Sequence, residues 1–239
     1  MTGETIFVLH VKQGYEDRGR HIERMMAAHG LRFDYVLDGD IDDLSDEWQR
    51  RTFSGLMART TPNLRSCTAK HLLAMKRILD EVLSGALILE DDIVLRPRFN
   101  DVFAATMREL AAMNADIPTI ISYEDTRLRF VKHSQRRPGQ YLYPGDRDRM
   151  AGCYYANATA ARLITKIADA GGIDLPIDLL HNRLLHDGSL RYLWCQPTVA
   201  TQGSFAGMFD SSLTGERRRI TGLLWHLKLW YKRLLYRLR

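Results

Sequence analysis

The amino-acid sequence predicts a single α/β domain with a mostly parallel central sheet. Apolar runs alternate along the chain with amphipathic helical patterns, beginning with a strand, helix, strand unit over residues 6–37. Such units build parallel sheets because the helix carries the chain back to the start of the next strand. The chain has 239 residues and is 45% hydrophobic, which is enough for a sizeable core. No linker divides it, so we expect one domain over 1–215 and a basic tail over 216–239.

The first half of the chain supplies the clearest elements. Residues 6–11 form an apolar run typical of a buried strand, and Ile22, Met25 and Met26 share one face of the helix that follows, which ends at Gly30. Residues 31–37 alternate as a second strand. Residues 67–83 have apolar side chains at helical spacing and predict a second helix. An apolar strand begins at residue 86.

The second half contains weaker patterns between clear ones. We expect helices at 99–113, 159–170 and 178–186, and strands at 119–122, 153–156 and 190–195. The Arg-rich residues between 124 and 150 contain Pro and Gly and predict an irregular hairpin and loop, which is typical of a binding or lid segment. The residues from 201 to 215 are rich in Gly, Ser and Thr and predict a mobile loop.

Three consecutive carboxylates interrupt the strand that begins at residue 86. Glu90, Asp91 and Asp92 repel one another unless a cation or a proton offsets their charge, and Mg²⁺ or Mn²⁺ is the usual partner of such oxygens. Open α/β sheets place ligands at the carboxyl ends of strands. Because side chains alternate faces along extended backbone, we expect Glu90 and Asp92 on one face, where they can share one ion, and Asp91 on the other. The alternative is a solvated polar loop.

Charge and cysteine content narrow the class of protein. The net charge of +5 and pI near 9.2 favour an anionic partner without identifying it. Three widely spaced cysteines without a C-x-x-C motif indicate neither a disulfide framework nor a zinc ribbon. We expect a cytoplasmic protein, since no secretion signal and no membrane-spanning stretch are recognisable.

The basic tail has two interpretations. Leu223, Leu227, Trp230, Leu234 and Leu238 form one helical stripe, with Lys and Arg residues outside it. We expect an interfacial helix lying on anionic lipid, which would hold the protein on the cytoplasmic face of the inner membrane. The alternative is a terminal helix docked on the protein's own core.

Several short motifs resemble one enzyme family. The most specific is Leu89-Glu90-Asp91-Asp92 after a helix that carries Cys67 and His71. The other matching positions are Asp38-Gly39, Gly152 with Tyr154 and Tyr155, Pro176-Ile177-Asp178, Gln202, and Ser211-Ser212. Together these motifs resemble glycosyltransferase family 25, the bacterial lipooligosaccharide glycosyltransferases and their collagen-modifying relatives.

The resemblance implies a GT-A-like nucleotide-sugar-binding domain and an inverting transfer of a hexose, galactose or glucose, from a UDP-sugar to a lipooligosaccharide or other glycan acceptor. It also implies Mn²⁺ or Mg²⁺ as cofactor, because the leaving phosphates need neutralising. Asp92 is the first candidate metal ligand, and Glu90 could share the ion. The donor-binding candidates are Glu90, Asp91, Asp38 and His10.

Inversion also needs a base for the acceptor hydroxyl, and Asp178 is the candidate, with Asp174 and Asp187 as alternatives. The alternative role for Asp178 is an ordinary helix N-cap. Further substrate-contact candidates are His71, Gly152, Gln202 and Ser204. Cys67 and His71 lie four residues apart, a spacing that two metal ligands could use, but two ligands do not make a zinc site, so we prefer packing or substrate contact for His71.

Two other function classes compete with this prediction. A sugar nucleotidyltransferase would also need acids and a metal, but it should carry a Gly-rich phosphate loop, and Lys12-Gln13-Gly14-Tyr15 is a poor one. A non-enzymatic membrane-binding or nucleic-acid-binding module would rest on the basic tail and would have no need for the three acids. We expect no nucleic-acid partner.

Overall fold

A computed structural model describes residues 3–209 and 219–238, and its centre is a mixed seven-stranded sheet in the order β2-β1-β3-β7-β5-β8-β6. The strands are β1 (Thr5–Leu9), β2 (Asp34–Val36), β3 (Gly85–Glu90), β4 (Ile93–Leu95), β5 (Thr119–Ser122), β6 (Leu142–Pro144), β7 (Cys153–Asn157), β8 (Arg191–Cys195) and β9 (Ala200–Gln202). Strands β1, β2, β3, β5 and β8 run in one direction, and β6 and β7 run against them. The predicted α/β class with a mostly parallel sheet is confirmed.

Helices cover both faces of this sheet. They are α1 (Glu16–Ala28), α2 (Asp46–Thr52), α3 (Pro62–Asp80), α4 (Phe99–Ala111), α5 (Ala158–Asp169), α6 (Ile177–His186) and α7 (Arg219–Leu238). One apolar core includes side chains of α3, α5 and α6, and the other includes side chains of α1 and α4. Strand β3 contributes to both cores, since Leu87 and Ile88 point in opposite directions and are fully buried. The end of β3 is therefore fixed from both sides.

Helix α3 begins earlier than the sequence predicts. Thr61 accepts a hydrogen bond from the backbone N–H of Leu64, and Pro62 occupies the first helical position, where its missing N–H costs nothing. The predicted start at residue 67 was wrong because the periodicity of apolar residues is weak in the first turn. Cys67 and His71 consequently lie well inside the helix, where their backbone is held firmly.

The sequence did not predict a short pair of antiparallel strands. Strands β4 and β9 pair so that Ile93 is opposite Gln202 and Leu95 is opposite Ala200. The prediction of a loop from residue 201 was therefore wrong at its start, where pairing with a distant strand overrides the loop-like composition. Residues 210–218, including Ser211, Ser212 and Arg217, lie outside the described residues. This pairing brings Gln202 and Ser204 close to Glu90, Asp91 and Asp92.

Helix α7 docks on the domain through one face. Trp225 and Leu229 are each 8% exposed and pack with Phe130, and the Trp225 indole N–H donates to the Thr126 carbonyl at 3.2 Å. On the opposite face Leu227 and Trp230 are 58% and 68% exposed. The alternative of a terminal helix docked on the protein's own core thus holds for one face of α7. Leu227 and Trp230, which belong to the predicted apolar stripe, face outward. Across the described part of the chain, no helix is long and apolar enough to cross a membrane.

Candidate functional site

The three carboxylates lie where β3 ends. Glu90 is the last residue of β3, and Asp91 and Asp92 form a turn before β4. Glu90 contacts His71 of α3 and Asp91 contacts Arg18 of α1, so these two acids point to opposite faces of the sheet, as the alternation predicts. The strand ends at Glu90, and Glu90 and Asp91 line the adjacent cavity, whereas Asp92 does not. We call Glu90, Asp91 and Asp92 the acidic turn.

The adjacent cavity, which we call the β1–β3 cavity, has a volume of about 370 Å³. It opens at the carboxyl ends of β1 and β3, which is where open α/β sheets bind ligands. Its lining combines three cationic side chains with the acids, and these are Lys12, Arg18 and Lys70. The cavity can therefore hold a ligand that is itself anionic together with a cation.

Asp91 is fully engaged by two partners. Its Oδ2 lies 2.7 Å from Nδ1 of His10, and its Oδ1 accepts a hydrogen bond from Nη1 of Arg18 at 3.1 Å. Arg18 is itself buried, and its pKa is raised by the charges of Asp92 and Asp91 against the opposing effect of burial. Asp91 therefore holds the side chains of His10 and Arg18 in place beside the cavity.

Asp92 is only 3% exposed. Its Oδ2 accepts the backbone N–H of Ser204 at 3.1 Å, while its Oδ1 has no hydrogen-bond partner among the described residues. Burial, followed by the charge of Glu90, raises the pKa of Asp92 to about 6. An unpaired buried carboxylate oxygen beside another acid fits a divalent cation, because a cation offsets both the lost solvation and the repulsion.

The chain approaches Asp92 closely at Gly203. The Gly203 N–H donates to the Asp92 carbonyl at 2.7 Å, and a Cβ on Gly203 would lie 2.8 Å from that oxygen. Any side chain at this position would push β9 away from the acidic turn.

Glu90 is held by the next group of predicted residues. Its Oε2 accepts a hydrogen bond from Nε2 of Gln202 at 2.7 Å, and its Oε1 lies 3.4 Å from Nε2 of His71. A Cβ at Gly152 would lie 2.6 Å from the Gln202 amide nitrogen, so the glycine leaves room for Gln202 to reach Glu90. The structure thus brings His71, Gly152, Gln202 and Ser204 together around the acidic turn, and their contact with substrate stays a prediction.

Asp40, for which no role was predicted, lines the cavity where the Asp38 side chain was expected. The Asp38 side chain is 83% exposed and lies 3.5 Å from Lys12, whereas Asp40 lines the β1–β3 cavity and pairs with Lys70 at 2.8 Å. Lys70 also donates to the Asp38 carbonyl at 3.1 Å. The chain turns after β2, so the acid two residues farther on reaches the cavity.

Asp178 lies in the first turn of α6 and is 14% exposed at its side chain. The N-cap of this helix is Pro176, so the alternative role of Asp178 as the N-cap is wrong. Burial, followed by the charge of Asp148, raises the pKa of Asp178, which makes it a better proton acceptor than an ordinary aspartate. It does not line the β1–β3 cavity, but its charge reaches the Cys67 thiol and helps to raise the pKa of that thiol.

A fourth acid near the acidic turn, Glu124, was not predicted from the sequence. It is fully buried and accepts the backbone N–H of Gly152 at 2.8 Å and the hydroxyl of Thr126 at 2.5 Å. Burial raises its pKa well above the usual value. The available signal was its position two residues after β5, which repeats the pattern of an acid at a strand end.

A second cavity of about 420 Å³ is lined by four arginines, Arg96, Arg98, Arg136 and Arg233, and we call it the arginine cavity. The buried carboxylate of Asp125 pairs with Arg96 at 2.6 Å and with Arg233 at 3.0 Å. Arg233 belongs to α7, so the docked helix completes this cavity. The lining is strongly cationic and suits an anionic group.

Comparison with known proteins identifies the family. Residues 4–178 match the model of "Glycosyltransferase family 25 (LPS biosynthesis protein)". No curated protein matches the chain. One similar solved structure is a glycosyltransferase involved in glycosylation of the major capsid of PBCV-1, with 9% identity, coverage of 93% of this chain and 99% of that chain, and a TM-score of 0.43.

Another similar structure is a putative glucose-1-phosphate thymidylyltransferase from Bacillus anthracis in complex with a sucrose, with 13% identity, coverage of 92% of this chain and 75% of that chain, and a TM-score of 0.41. The family match spans well over half of the chain and includes the acidic turn and Asp178. The family predicted from the motifs is thereby confirmed: the chain belongs to glycosyltransferase family 25 and is a glycosyltransferase.

Proposed function

We propose that this protein is a metal-dependent inverting hexosyltransferase that moves galactose or glucose from a UDP-sugar to a lipooligosaccharide or related glycan acceptor. The observation that carries the proposal is the unpartnered, buried Oδ1 of Asp92 in an acidic turn beside the β1–β3 cavity. A cation at this place would offset both the repulsion between the acids and the negative charge of the donor diphosphate.

The residues around the β1–β3 cavity divide into two groups with different tasks. Asp92, with Glu90, would hold Mn²⁺ or Mg²⁺, whose chemistry when bound is to neutralise the leaving diphosphate. Lys12, Lys70 and Arg18 line the same cavity and would pair with the remaining phosphate charge. Asp91 would keep His10 and Arg18 in position for the donor. Asp38 remains a donor-binding candidate through its backbone beside Lys70.

Asp178 is the proposed base. As the acceptor hydroxyl oxygen bonds to the anomeric carbon, the bond from that carbon to the diphosphate oxygen breaks, and the hydroxyl proton passes to the Asp178 carboxylate. A raised pKa suits this step, because the carboxylate must take up the proton during the reaction.

The acceptor side rests on the arginine cavity and the outer face of α7. Four arginines suit the phosphate or carboxylate groups of an anionic glycolipid. On the outer face, exposed Leu227, Trp230 and Leu234 are accompanied by exposed Lys228 and Lys232, a combination that fits the surface of an anionic bilayer. We propose that the protein works on the cytoplasmic face of the inner membrane.

The central experiment measures transfer by Asp92→Asn in the presence and absence of Mn²⁺. Loss of an interaction worth several kcal/mol corresponds to a decrease of about 10²- to 10³-fold in kcat/KM. The matched control is Asp80→Asn, because Asp80 is an exposed acid paired with Lys76 at the far end of α3. Undiminished metal-dependent transfer by Asp92→Asn would contradict the proposal.

Two companion experiments separate the remaining parts. Asp178→Asn should lose transfer while it still binds the UDP-sugar in calorimetry, and retained transfer would remove the base assignment.

Leu227→Ser combined with Trp230→Ser should reduce sedimentation with anionic liposomes but not change transfer to a soluble acceptor. Equal sedimentation of this variant and the unmodified protein would remove the membrane proposal.

A further inference from the structure

We infer that Cys67, His71 and Glu90 form a second cation site, one that takes a borderline transition metal of the Zn²⁺ or Co²⁺ type. One ligand atom from each, the Cys67 Sγ, a ring nitrogen of His71 and a carboxylate oxygen of Glu90, lie within 4.8 Å of one another. The inference rests on this convergence and does not require the proposed transfer reaction.

Two rigid elements create the convergence. Cys67 and His71 are one turn apart on α3, so both side chains lie on the same helix face. Glu90 closes β3, whose Ile88 packs into the same core as Met75 and Ile78 of α3. Ligands held on a buried strand and an internal helical turn have little freedom to separate.

His71 provides the second, independent observation. Its side chain is fully buried, and its Nε2 has no hydrogen-bond partner among the described residues. Its Nδ1 lies 3.0 Å from the hydroxyl oxygen of Tyr154. When Nδ1–H donates to this hydroxyl, the lone pair of Nε2 is left facing Glu90, which is how metal-binding histidines are usually oriented.

The surroundings favour a cation. The Oε1 of Glu90 faces His71, while its Oε2 is already bound by Gln202, so the free oxygen is the one beside the imidazole. Asp92 and Asp178 lie close enough for their charges to act on the Cys67 thiol. A bound divalent ion would offset this concentration of negative charge.

The donor set selects the class of metal. Sulfur, imidazole nitrogen and a carboxylate oxygen suit Zn²⁺ or Co²⁺, whereas Mg²⁺ prefers oxygen ligands alone. Cys67 and Glu90 also line the β1–β3 cavity, so a fourth position can open toward a ligand there. Three protein ligands with one open position is the arrangement of a reactive zinc site rather than a closed structural one. Glu90 would then be shared with the hard cation proposed at Asp92.

The test titrates the metal-free full chain with Co²⁺ and follows the thiolate-to-Co²⁺ charge-transfer absorption in the near ultraviolet. We expect one equivalent of Co²⁺ to produce the band, Zn²⁺ to remove it and Mg²⁺ to leave it unchanged. Cys67→Ser should lose the band, and Cys153→Ser, at a buried cysteine of β7, should keep it. Tyr154→Phe should weaken Co²⁺ affinity about tenfold to a hundredfold by releasing the imidazole.

The possible results separate this site from the proposed catalytic ion. Absence of the band in the unmodified protein, or a band of equal intensity in Cys67→Ser, would overturn the inference, and the first of these outcomes requires no variant to fold. Asp92→Asn should keep the Co²⁺ band even where it abolishes sugar transfer. In the unmodified protein, metal-dependent transfer without the Co²⁺ band would mean that this inference alone has failed, and the band without metal-dependent transfer would mean that the proposed function alone has failed.

Discussion

The acidic turn and helix α7 both contain several charged side chains, but the two regions differ in how these charges are solvated and paired. In the turn, Asp91 and Asp92 are buried and Glu90 is half-buried, and the acids are held by partners from distant parts of the chain, such as Arg18 and Ser204. Helix α7 instead docks through Trp225 and Leu229 and keeps Lys228 and Lys232 exposed. The carboxylates of the turn are therefore paired inside the protein, whereas the lysines of α7 remain exposed to solvent.

The difference follows from solvation. A buried carboxylate loses its water and must find a cation, a proton or hydrogen-bond donors, so each partner becomes important for stability. An exposed lysine keeps its water, and a surface ion pair contributes little. The two regions should therefore respond very differently to the removal of a single charge.

The largest expected effect on stability is at Arg18. Arg18→Met leaves the buried Asp91 with His10 alone, and breaking one side of a buried ion pair should lower the free energy of unfolding by about 3 kcal/mol. The control Arg20→Met removes an exposed pair with Asp17 on the same helix and should cost less than about 0.5 kcal/mol. Urea denaturation measures both.

Equal stability of the Arg18 and Arg20 variants would contradict the expected difference between buried and exposed charges. The same denaturation, repeated with added Mn²⁺, also tests whether a cation binds at Asp92. If a cation binds at Asp92, it should recover part of the lost stability in Arg18→Met, because a ligand that binds only the folded state raises its apparent stability.

The second prediction compares the two faces of α7. Trp225→Ala removes a packed indole and its hydrogen bond to Thr126 and should lower the free energy of unfolding by about 2 kcal/mol. Trp230→Ala, on the outer face, should change it by less than about 0.5 kcal/mol. Thermal unfolding of the two variants tests this, and the opposite ranking would mean that the helix docks through its other face.

The smallest effect concerns a buried group without an ionic partner. His181 is fully buried, and burial, followed by the charge of His71, lowers its pKa from 6.5 to about 3, with Asp148 acting in the opposite direction. The unfolded chain therefore takes up a proton below pH 6.5 that the folded chain does not. The contribution of neutral His181 to the free energy of unfolding is therefore complete above that pH. It declines as the pH falls, by about 1 kcal/mol over the first unit.

His181→Phe keeps a ring between Tyr154 and Tyr192 and removes this titration. Between pH 6.5 and one unit lower, the unmodified protein should lose about 1 kcal/mol more stability than the variant does. The control His133→Gln, at an exposed position, should follow the unmodified protein. Identical pH profiles for His181→Phe and the unmodified protein would show that His181 is not held neutral.

Local chemistry made much of this protein predictable. The apolar run before Glu90 identified the central strand, and the three adjacent acids identified the place of the site, because both signals lie within about ten consecutive residues. The family motifs around Cys67, His71 and Asp178 depended in the same way on short spacings. These determined the fold class, the family and the location of the acidic turn.

Tertiary structure alone decided which side chains meet. Strand β3 ends at Glu90, so Asp92 turns inward to Ser204, more than a hundred residues away in the chain, and Asp40 replaces Asp38 at the cavity. Glu90 completes a cluster with Cys67 and His71, and α7 docks through Trp225 rather than Trp230. Such pairings depend on where a strand stops and which face of a helix finds a complementary surface, and neither is encoded in the periodicity of a single segment.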